Sequence, residues 1–232
     1  MPQLLRELKK FYAQHKRDFP WRHTRDPYRI LVSEIMLQQT QASRVVPFYI
    51  RFIKKFPTAK ALAKAPLSRV LTAWQGLGYN RRAKYLHEAA KIIGREGFGG
   101  RLPGVGPYTR AAVDAFAHNK PTVFIETNIR TVFLHSLIRT NERMTAKIGD
   151  EEILPLVEKA LRQSKMQPRD FYAALMDYGS YLKASGVKLN SRSKHYIRQS
   201  KFEGSTRQKR AAKLRKLLQK GATEAQLLKA LR

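Results

Sequence analysis

Residues 26–41 read Asp-Pro-Tyr-Arg-Ile-Leu-Val-Ser-Glu-Ile-Met-Leu-Gln-Gln-Thr-Gln, and the rest of the chain is read outward from them. Asp26 followed by Pro27 is a helix start, a capping carboxylate and then the imino acid that suits the first helical position. Ile30, Leu31, Ile35 and Leu37 recur at helical spacing and mark a face turned to the core. Glu34 falls on that face, where a carboxylate interrupts the apolar pattern. The ordinary reading is a partly exposed or ion-paired Glu. The sharper one is a carboxyl in apolar surroundings, its pKa raised until it can donate a proton near neutral pH. Gln38, Gln39, Thr40 and Gln41 follow at the helix end, a polar cluster able to read or replace a base edge.

Composition narrows the partner. The chain has 232 residues, with 46 Lys and Arg against 17 Asp and Glu, a formal charge of +29. Such an excess opposes compaction unless a polyanion is present, and nucleic acid is the leading candidate, with anionic membrane a distant second. There are no cysteines, which excludes disulfides, zinc–thiolate sites and cysteine-ligated iron–sulfur clusters. No apolar run approaches the ~20 residues of a membrane span. The start, M-P-Q-L-L-R-E-L-K-K, is an amphipathic helix start rather than a signal peptide, since it lacks an apolar central region. The expected setting is cytoplasmic, nucleoid-associated through DNA, with no membrane partner and a monomeric state.

The pattern along the chain is all-α. Leu4, Leu5, Leu8, Phe11 and Tyr12 predict a helix over 3–15, which Phe19-Pro20-Trp21-Arg22 breaks. Further helices are expected at about 43–56, 58–64, 67–74, 80–95, 107–118, 128–139, 150–163 and 168–184. Only Thr122-Val123-Phe124-Ile125 reads as a short extended run. From Arg192 to Arg232 there are 13 Lys and Arg against Glu203 and Glu224. Within that basic tail, Ser205 with Gln208 and Thr223 with Gln226 match the capping-box pattern, and Gly221 fits a C-cap between them. These predict two short helices, roughly 206–219 and 224–231. The pair reads equally as half of a helix-turn-helix, as a basic hairpin on DNA phosphates, or as a solvated tail.

Two glycine turns carry chemical information. Gly76-Leu77-Gly78-Tyr79 precedes Asn80-Arg81-Arg82, placing an aromatic beside paired cations. Leu102-Pro103-Gly104-Val105-Gly106-Pro107-Tyr108 opens a helix, and a Pro-Gly-x-Gly turn at a helix start exposes backbone N–H groups suited to phosphate. The run ending at Ile125 delivers Glu126, then Thr127 and Asn128, at another helix start. By default Glu126 favours the helix dipole; alternatively it is a second carboxylate facing Glu34 across a cleft. A proton-donating acid, a second carboxylate, a phosphate turn and a basic surface together suggest hydrolysis of a nucleotide glycosidic bond. Protonation makes the base a better leaving group, and the other carboxylate steadies an oxocarbenium-like sugar, as in the carboxylate pairs of glycosidases. The base must first be extruded from the duplex, with Tyr79, Gln38 and Gln39 as candidates to fill the stack.

These residues resemble the helix-hairpin-helix DNA glycosylase superfamily, most closely its MutY-type adenine glycosylase branch. The resemblance rests on P-W-R at 20–22, D-P-Y-R-I-L-V-S-E-I-M-L-Q-Q-T-Q at 26–41, F-P-T at 56–58, W-Q-G-L-G-Y at 74–79, L-P-G-V-G at 102–106 and M-D-Y-G at 176–179. It implies two helical lobes around a DNA-binding cleft, with a basic C-terminal helical extension. One lobe is expected from 22–125 with the hairpin, the other from 1–21 with 126–198, and the extension over 199–232. It also implies Glu34 as the base-protonating acid, Gln38 or Gln39 as the wedge and Tyr79 as the intercalating residue. Arg22, Arg81, Arg82 and the hairpin residues Gly104, Val105 and Gly106 join them as DNA contacts.

The pattern departs from the family in several places. Glu126 stands where an aspartate is usual, one methylene longer, with Asn128 beside it in the expected catalytic set. Tyr108 stands where bifunctional relatives carry a Schiff-base lysine, which implies a monofunctional, water-using enzyme. The four cluster cysteines are absent, Lys183 lying near the place of the first, so no iron–sulfur cofactor is expected. The segment 186–202, with Arg192, Lys194 and His195, is expected to contact DNA by charge alone. A monovalent cation at the hairpin is the one ion the resemblance admits. Only Gly94 to Arg101 precede L-P-G-V-G, so either the helix at 80–93 serves as the first arm or the hairpin is incomplete. Set against the resemblance, the chain is also expected to end before the C-terminal domain with which typical adenine glycosylases recognise an opposing 8-oxoguanine. The reading is thus a monofunctional N-glycosylase acting on duplex DNA, removing adenine opposite guanine or 8-oxoguanine. The alternatives are a mismatch thymine or uracil glycosylase and, in another class, a non-catalytic DNA-binding or damage-sensing protein.

Overall fold

The Asp26 carboxylate accepts a hydrogen bond from the Tyr28 N–H at 2.8 Å and starts a helix at Pro27. The same device recurs: Thr58 accepts from the Ala61 N–H, and Thr223 and Gln226 close a reciprocal capping box. Ser205 accepts from the Gln208 N–H, while the Gln208 side chain reaches back to the Gly204 N–H at 2.7 Å.

The computed structural model describes residues 1–140, 147–197 and 201–231. They contain α1 (Pro2–His15), α2 (Pro27–Leu37), α3 (Ala42–Lys55), α4 (Ala59–Lys64), α5 (Leu67–Trp74) and α6 (Arg81–Glu96). There follow α7 (Pro107–His118), α8 (Thr127–Thr140), α9 (Asp150–Ser164), α10 (Pro168–Ala184), α11 (Thr206–Gln219) and α12 (Glu224–Ala230). Single 3₁₀ turns lie at Pro20–His23 and Asn190–Arg192. Among the described residues there is no β-strand. The extended run at 122–125 is a connector without a pairing strand, fixed by Tyr172, whose hydroxyl donates to the Thr122 carbonyl at 2.6 Å.

The chain divides into two compact units, Met1–Asp18 with Arg110–Arg198 and Phe19–Thr109 with Gln199–Arg232. The border between them falls inside α7, and the described residues 201–231 group with the second unit. The expected border at 198/199 lies outside the described residues.

In the first unit α10 is the central element, packed by α1 and α8. Phe171, Tyr172 and Phe133 are fully buried, and the Phe124 and Tyr172 rings stack at 3.8 Å. Gly179 permits the close approach of α10 to the start of α8, since a Cβ there would lie 2.2 Å from the Asn128 carbonyl oxygen. Asp177 is buried and receives the Arg17 N–H and guanidinium, which ties the chain after α1 to α10.

In the second unit α2 is buried on all sides, not on one face: Ile30, Leu31, Val32, Ser33, Glu34, Ile35 and Met36 are all enclosed, while Leu37 at the end is only half-buried. Neighbouring α3 and α6 cover it, and Trp74 of α5 is fully buried. Burying a large apolar side chain contributes roughly 1.5–3 kcal/mol, so this cluster holds the unit together. The C-terminal helices join it because Leu214, Leu227 and Leu231 are buried and α12 packs on α5.

Candidate active site

Glu34 sits in the middle of α2 with only 5% of its surface exposed. A carboxyl so enclosed needs a partner, and the Tyr108 hydroxyl donates to its Oε2 at 2.9 Å.

The turn before α7 brings Tyr108 to this position. Leu102-Pro103-Gly104-Val105 is closed by a hydrogen bond from the Val105 N–H to the Leu102 carbonyl at 3.1 Å, with Gly104 at φ +73°. Proline followed by a left-handed glycine is the signature of a type II turn. Gly104 is needed twice, since a Cβ would also lie 2.8 Å from the Tyr85 Cβ on α6. The turn therefore rests directly on α6. Gly106 is exposed and Val105 half-buried.

Arg82 corrects an expectation. It was read with Arg81 as a DNA contact, but it is 8% exposed and points inward. Its guanidinium donates to the carbonyls of Ile35 and Met36 at 2.9 Å each, to that of Gln38, to Thr40 Oγ1 at 3.2 Å and to the Gly78 carbonyl at 3.1 Å. Helix α2 ends without a glycine cap, and Arg82 takes up the carbonyls that the last turn leaves open. Burial lowers its pKa to about 10, which leaves it charged at neutral pH. The signal available in sequence was the question of where those carbonyls go; Arg81, by contrast, is exposed.

Arg82 thereby links two strained turns. Gln39 lies at φ +55° and Tyr79 at φ +49°, both unusual for residues with a side chain. Gln39 is exposed and Gln38 half-buried. The Tyr79 ring has the guanidinium carbons of Arg82 and Arg207 each 5.2 Å from its centroid, and Arg207 also donates to its hydroxyl. Arg22, half-buried in the 3₁₀ turn, lies over the Phe19 ring at 5.2 Å.

Glu126, in the first unit, caps α8. Its Oε1 accepts from the N–H groups of Asn128 at 2.8 Å and Ile129 at 3.0 Å, and its Oε2 from the Asn128 side-chain amide at 3.2 Å. Burial lowers the Lys183 pKa, with the Glu126 charge opposing it. Farther along, the Lys194 ammonium is shared between Glu151 at 3.2 Å and Glu152 at 3.3 Å. His195 Nε2 lies 3.7 Å from Glu151. Arg192 is half-buried in its 3₁₀ turn, where its carbonyl accepts from the Ile148 N–H. Among the described residues no group of three His, Asp or Glu is placed to hold a metal ion, and no helix is long and apolar enough to cross a membrane.

A family model for HhH-GPD superfamily base excision DNA repair proteins matches residues 32–159, a span that includes Glu34, the hairpin, Tyr108 and Glu126. The chain belongs to this superfamily. It is 43% identical over 183 residues to the adenine DNA glycosylase of Mycobacterium tuberculosis (strain ATCC 25618 / H37Rv), covering 75% of this chain and 59% of that protein. It is 34% identical over 183 residues to the thymine/uracil-DNA glycosylase of Methanothermobacter thermautotrophicus, covering 74% of this chain and 80% of that one. Among solved HhH-GPD relatives, a thermostable thymine-DNA glycosylase superposes with a TM-score of 0.65 at 29% identity, over 84% of this chain and 95% of the other. The chain spans 56–61% of the length of bacterial adenine glycosylases it matches.

Proposed function

We propose that this chain is a monofunctional DNA N-glycosylase of base-excision repair, acting as a monomer on duplex DNA and removing a flipped base, adenine opposite guanine or 8-oxoguanine. The observation that carries the proposal is the buried Glu34 carboxyl with the Tyr108 hydroxyl 2.9 Å from it. Glu34 delivers a proton to the base, the bond from sugar C1′ to the base nitrogen breaks, and its electron pair leaves with the protonated base. Water then adds to C1′, and the proton it loses restores Glu34, leaving an apurinic site. Glu126 is the proposed carboxylate that steadies the sugar cation, with Asn128 orienting it. Tyr79, Gln38 and Gln39 fill the opened stack, and the exposed hairpin residues meet the phosphates.

With Tyr108 at the lysine position there is no amine there for a Schiff base, so the product is expected to keep its strand intact. The hairpin over 102–106 offers backbone carbonyls and no carboxylate, a donor set that suits a monovalent cation better than a divalent one. Potassium-dependent duplex binding, compared with lithium, tests for that cation.

A thymine or uracil substrate is the second reading, favoured by the relative that the chain covers over 80% of its length. Duplexes carrying A:G, A:8-oxoG, T:G and U:G pairs, assayed for base release, decide between them. The proposal expects release of adenine and loss of that release in Glu34→Gln with duplex binding retained. Binding without release from any duplex would instead mark a damage-sensing protein.

A further inference from the structure

The C-terminal helix pair carries a feature that the proposed chemistry does not use. On α11 and its C-cap residue, Lys209, Lys213, Lys216 and Lys220 follow one another at steps of four, three and four residues, and all are exposed. At ~100° per residue they form a stripe centred about 130° from the buried Leu214, on the outward side of the helix. At ~1.5 Å per residue the stripe is about 16 Å long. The nearest acids in sequence, Glu203 and Glu224, lie beyond both ends of the helix, so the stripe carries no compensating carboxylate of its own. Lys194 in the first unit differs, since two carboxylates hold it.

The helix is also anchored. Leu214, Leu227 and Leu231 are buried, and the turn at Leu218, Gly221 and Ala222 closes a pocket against Lys55, Arg69 and Thr72. At its N-terminal end Arg207 lies over the Tyr79 ring and donates to its hydroxyl. A solvated tail has no need of such docking.

We propose that the α11 lysine stripe is a DNA-backbone contact surface, held by Arg207 and the leucine anchors in fixed register with Tyr79. The class of ligand follows from the charge: four exposed ammonium groups in a row about 16 Å long match a duplex, which carries a phosphate charge every ~1.7 Å of axis. DNA is favoured over an anionic lipid surface because the stripe belongs to the same unit as Tyr79. This choice of ligand rests on the glycosylase reading.

The test is equilibrium binding of the full chain to an undamaged duplex over a range of sodium chloride, comparing the parent with K209Q/K213Q/K216Q/K220Q. Each lysine that neutralises a phosphate adds about 0.9 to the slope of log affinity against log salt. The variant should therefore lose up to ~3.6 from that slope, so its deficit at 50 mM salt exceeds that at 200 mM by up to ~100-fold. All four positions are exposed, and an unchanged melting temperature verifies the fold. An unchanged slope overturns the proposal. So does a variant that loses binding to vesicles of phosphatidylserine while its DNA slope stays that of the parent. The readout needs no base release, so a flattened slope supports the surface even where the duplex panel finds no excision, and base release with an unaltered slope rejects the surface alone.

Discussion

Replacing Arg82 by Gln tests the central structural claim, that one buried guanidinium holds the end of α2 and the Tyr79 turn together. The side chain makes five hydrogen bonds, four of them to backbone carbonyls. Hydrogen bonds to a charged group contribute about 1.5–3 kcal/mol each, but five such values do not add, because water reaches part of the space and the turns relax. Gly78 also keeps a donor, the Trp74 indole N–H at 3.1 Å. What remains is three carbonyls at the end of α2 that lose a charged donor in a largely dry setting. The expected loss is about 3–5 kcal/mol, the range found when a buried charged network is broken by removing one member. At this chain length each kcal/mol lowers the melting temperature by roughly 2–4 °C, so R82Q should melt about 10 °C below the parent. Lys at this position keeps the charge but not the planar fork, and should recover less than half of the loss. Hydrogen exchange adds location: amides of residues 36–40 and 78–82 should exchange faster in R82Q, while those of α8 and α10 keep their protection. A melting temperature within about 1 °C of the parent, with exchange unchanged at those two turns, would refute the clamp.

Other substitutions probe separate parts of the argument. Y108F removes the hydroxyl partner of Glu34 and should lower the single-turnover rate of base release at least tenfold while duplex affinity stays within about twofold, since it acts on proton transfer. G104A adds a Cβ 2.8 Å from that of Tyr85 at a left-handed position, and should destabilise the chain by about 2 kcal/mol in urea unfolding. G179A meets the Asn128 carbonyl at 2.2 Å, a backbone atom that cannot step aside, and should cost at least as much. His87 on α6 has its pKa lowered by burial and by Lys91, with Glu224 opposing; the unfolded chain thus binds a proton more readily than the folded one, and stability should fall as pH drops below the ordinary histidine value of about 6.5. His135 is lowered by burial as well, so H87Q should flatten only part of the melting-temperature decline between pH 7.5 and 5.5.

The helices were legible because their signals are local. Asp26-Pro27, Ser205 and Thr223 are caps, and the apolar periods end within a residue or two of the observed bounds. Glu34 stood out because it broke such a period. What sequence could not supply is direction in three dimensions. The pattern of α2 suggests one buried face, yet Val32, Ser33 and Met36 are enclosed as well, because both α3 and α6 pack against it. Arg82 looked like half of a surface pair, and only the packing of α6 beside α2 turns it inward. The tail leucines announced local packing but not their target on α5. The pairing of Lys194 with Glu151 and Glu152 is not visible in sequence, because those glutamates lie more than forty residues earlier and their approach depends on Ile148 pairing with Ser193.

The two glutamates are held by donors of different kinds, and the difference bears on the roles proposed for them. A hydroxyl can donate or accept, so Tyr108 can partner Glu34 both as a carboxylate and as a carboxylic acid, turning its O–H as the proton leaves and returns. A proton donor that must be regenerated in each turnover needs a partner of this kind, because neither state is then left unsatisfied in a buried site. Backbone N–H groups only donate, and the two that Glu126 receives fix its oxygens at the start of α8. That arrangement suits a group that stays in one form and is valued for its place. It also explains how the extra methylene relative to aspartate is accommodated: the longer side chain still reaches the second and third N–H groups of the helix, as a shorter cap does. If place is what matters, E126Q should retain the cap through its amide oxygen and much of the stability while losing base release. Loss of both together would mean that Glu126 serves the helix alone.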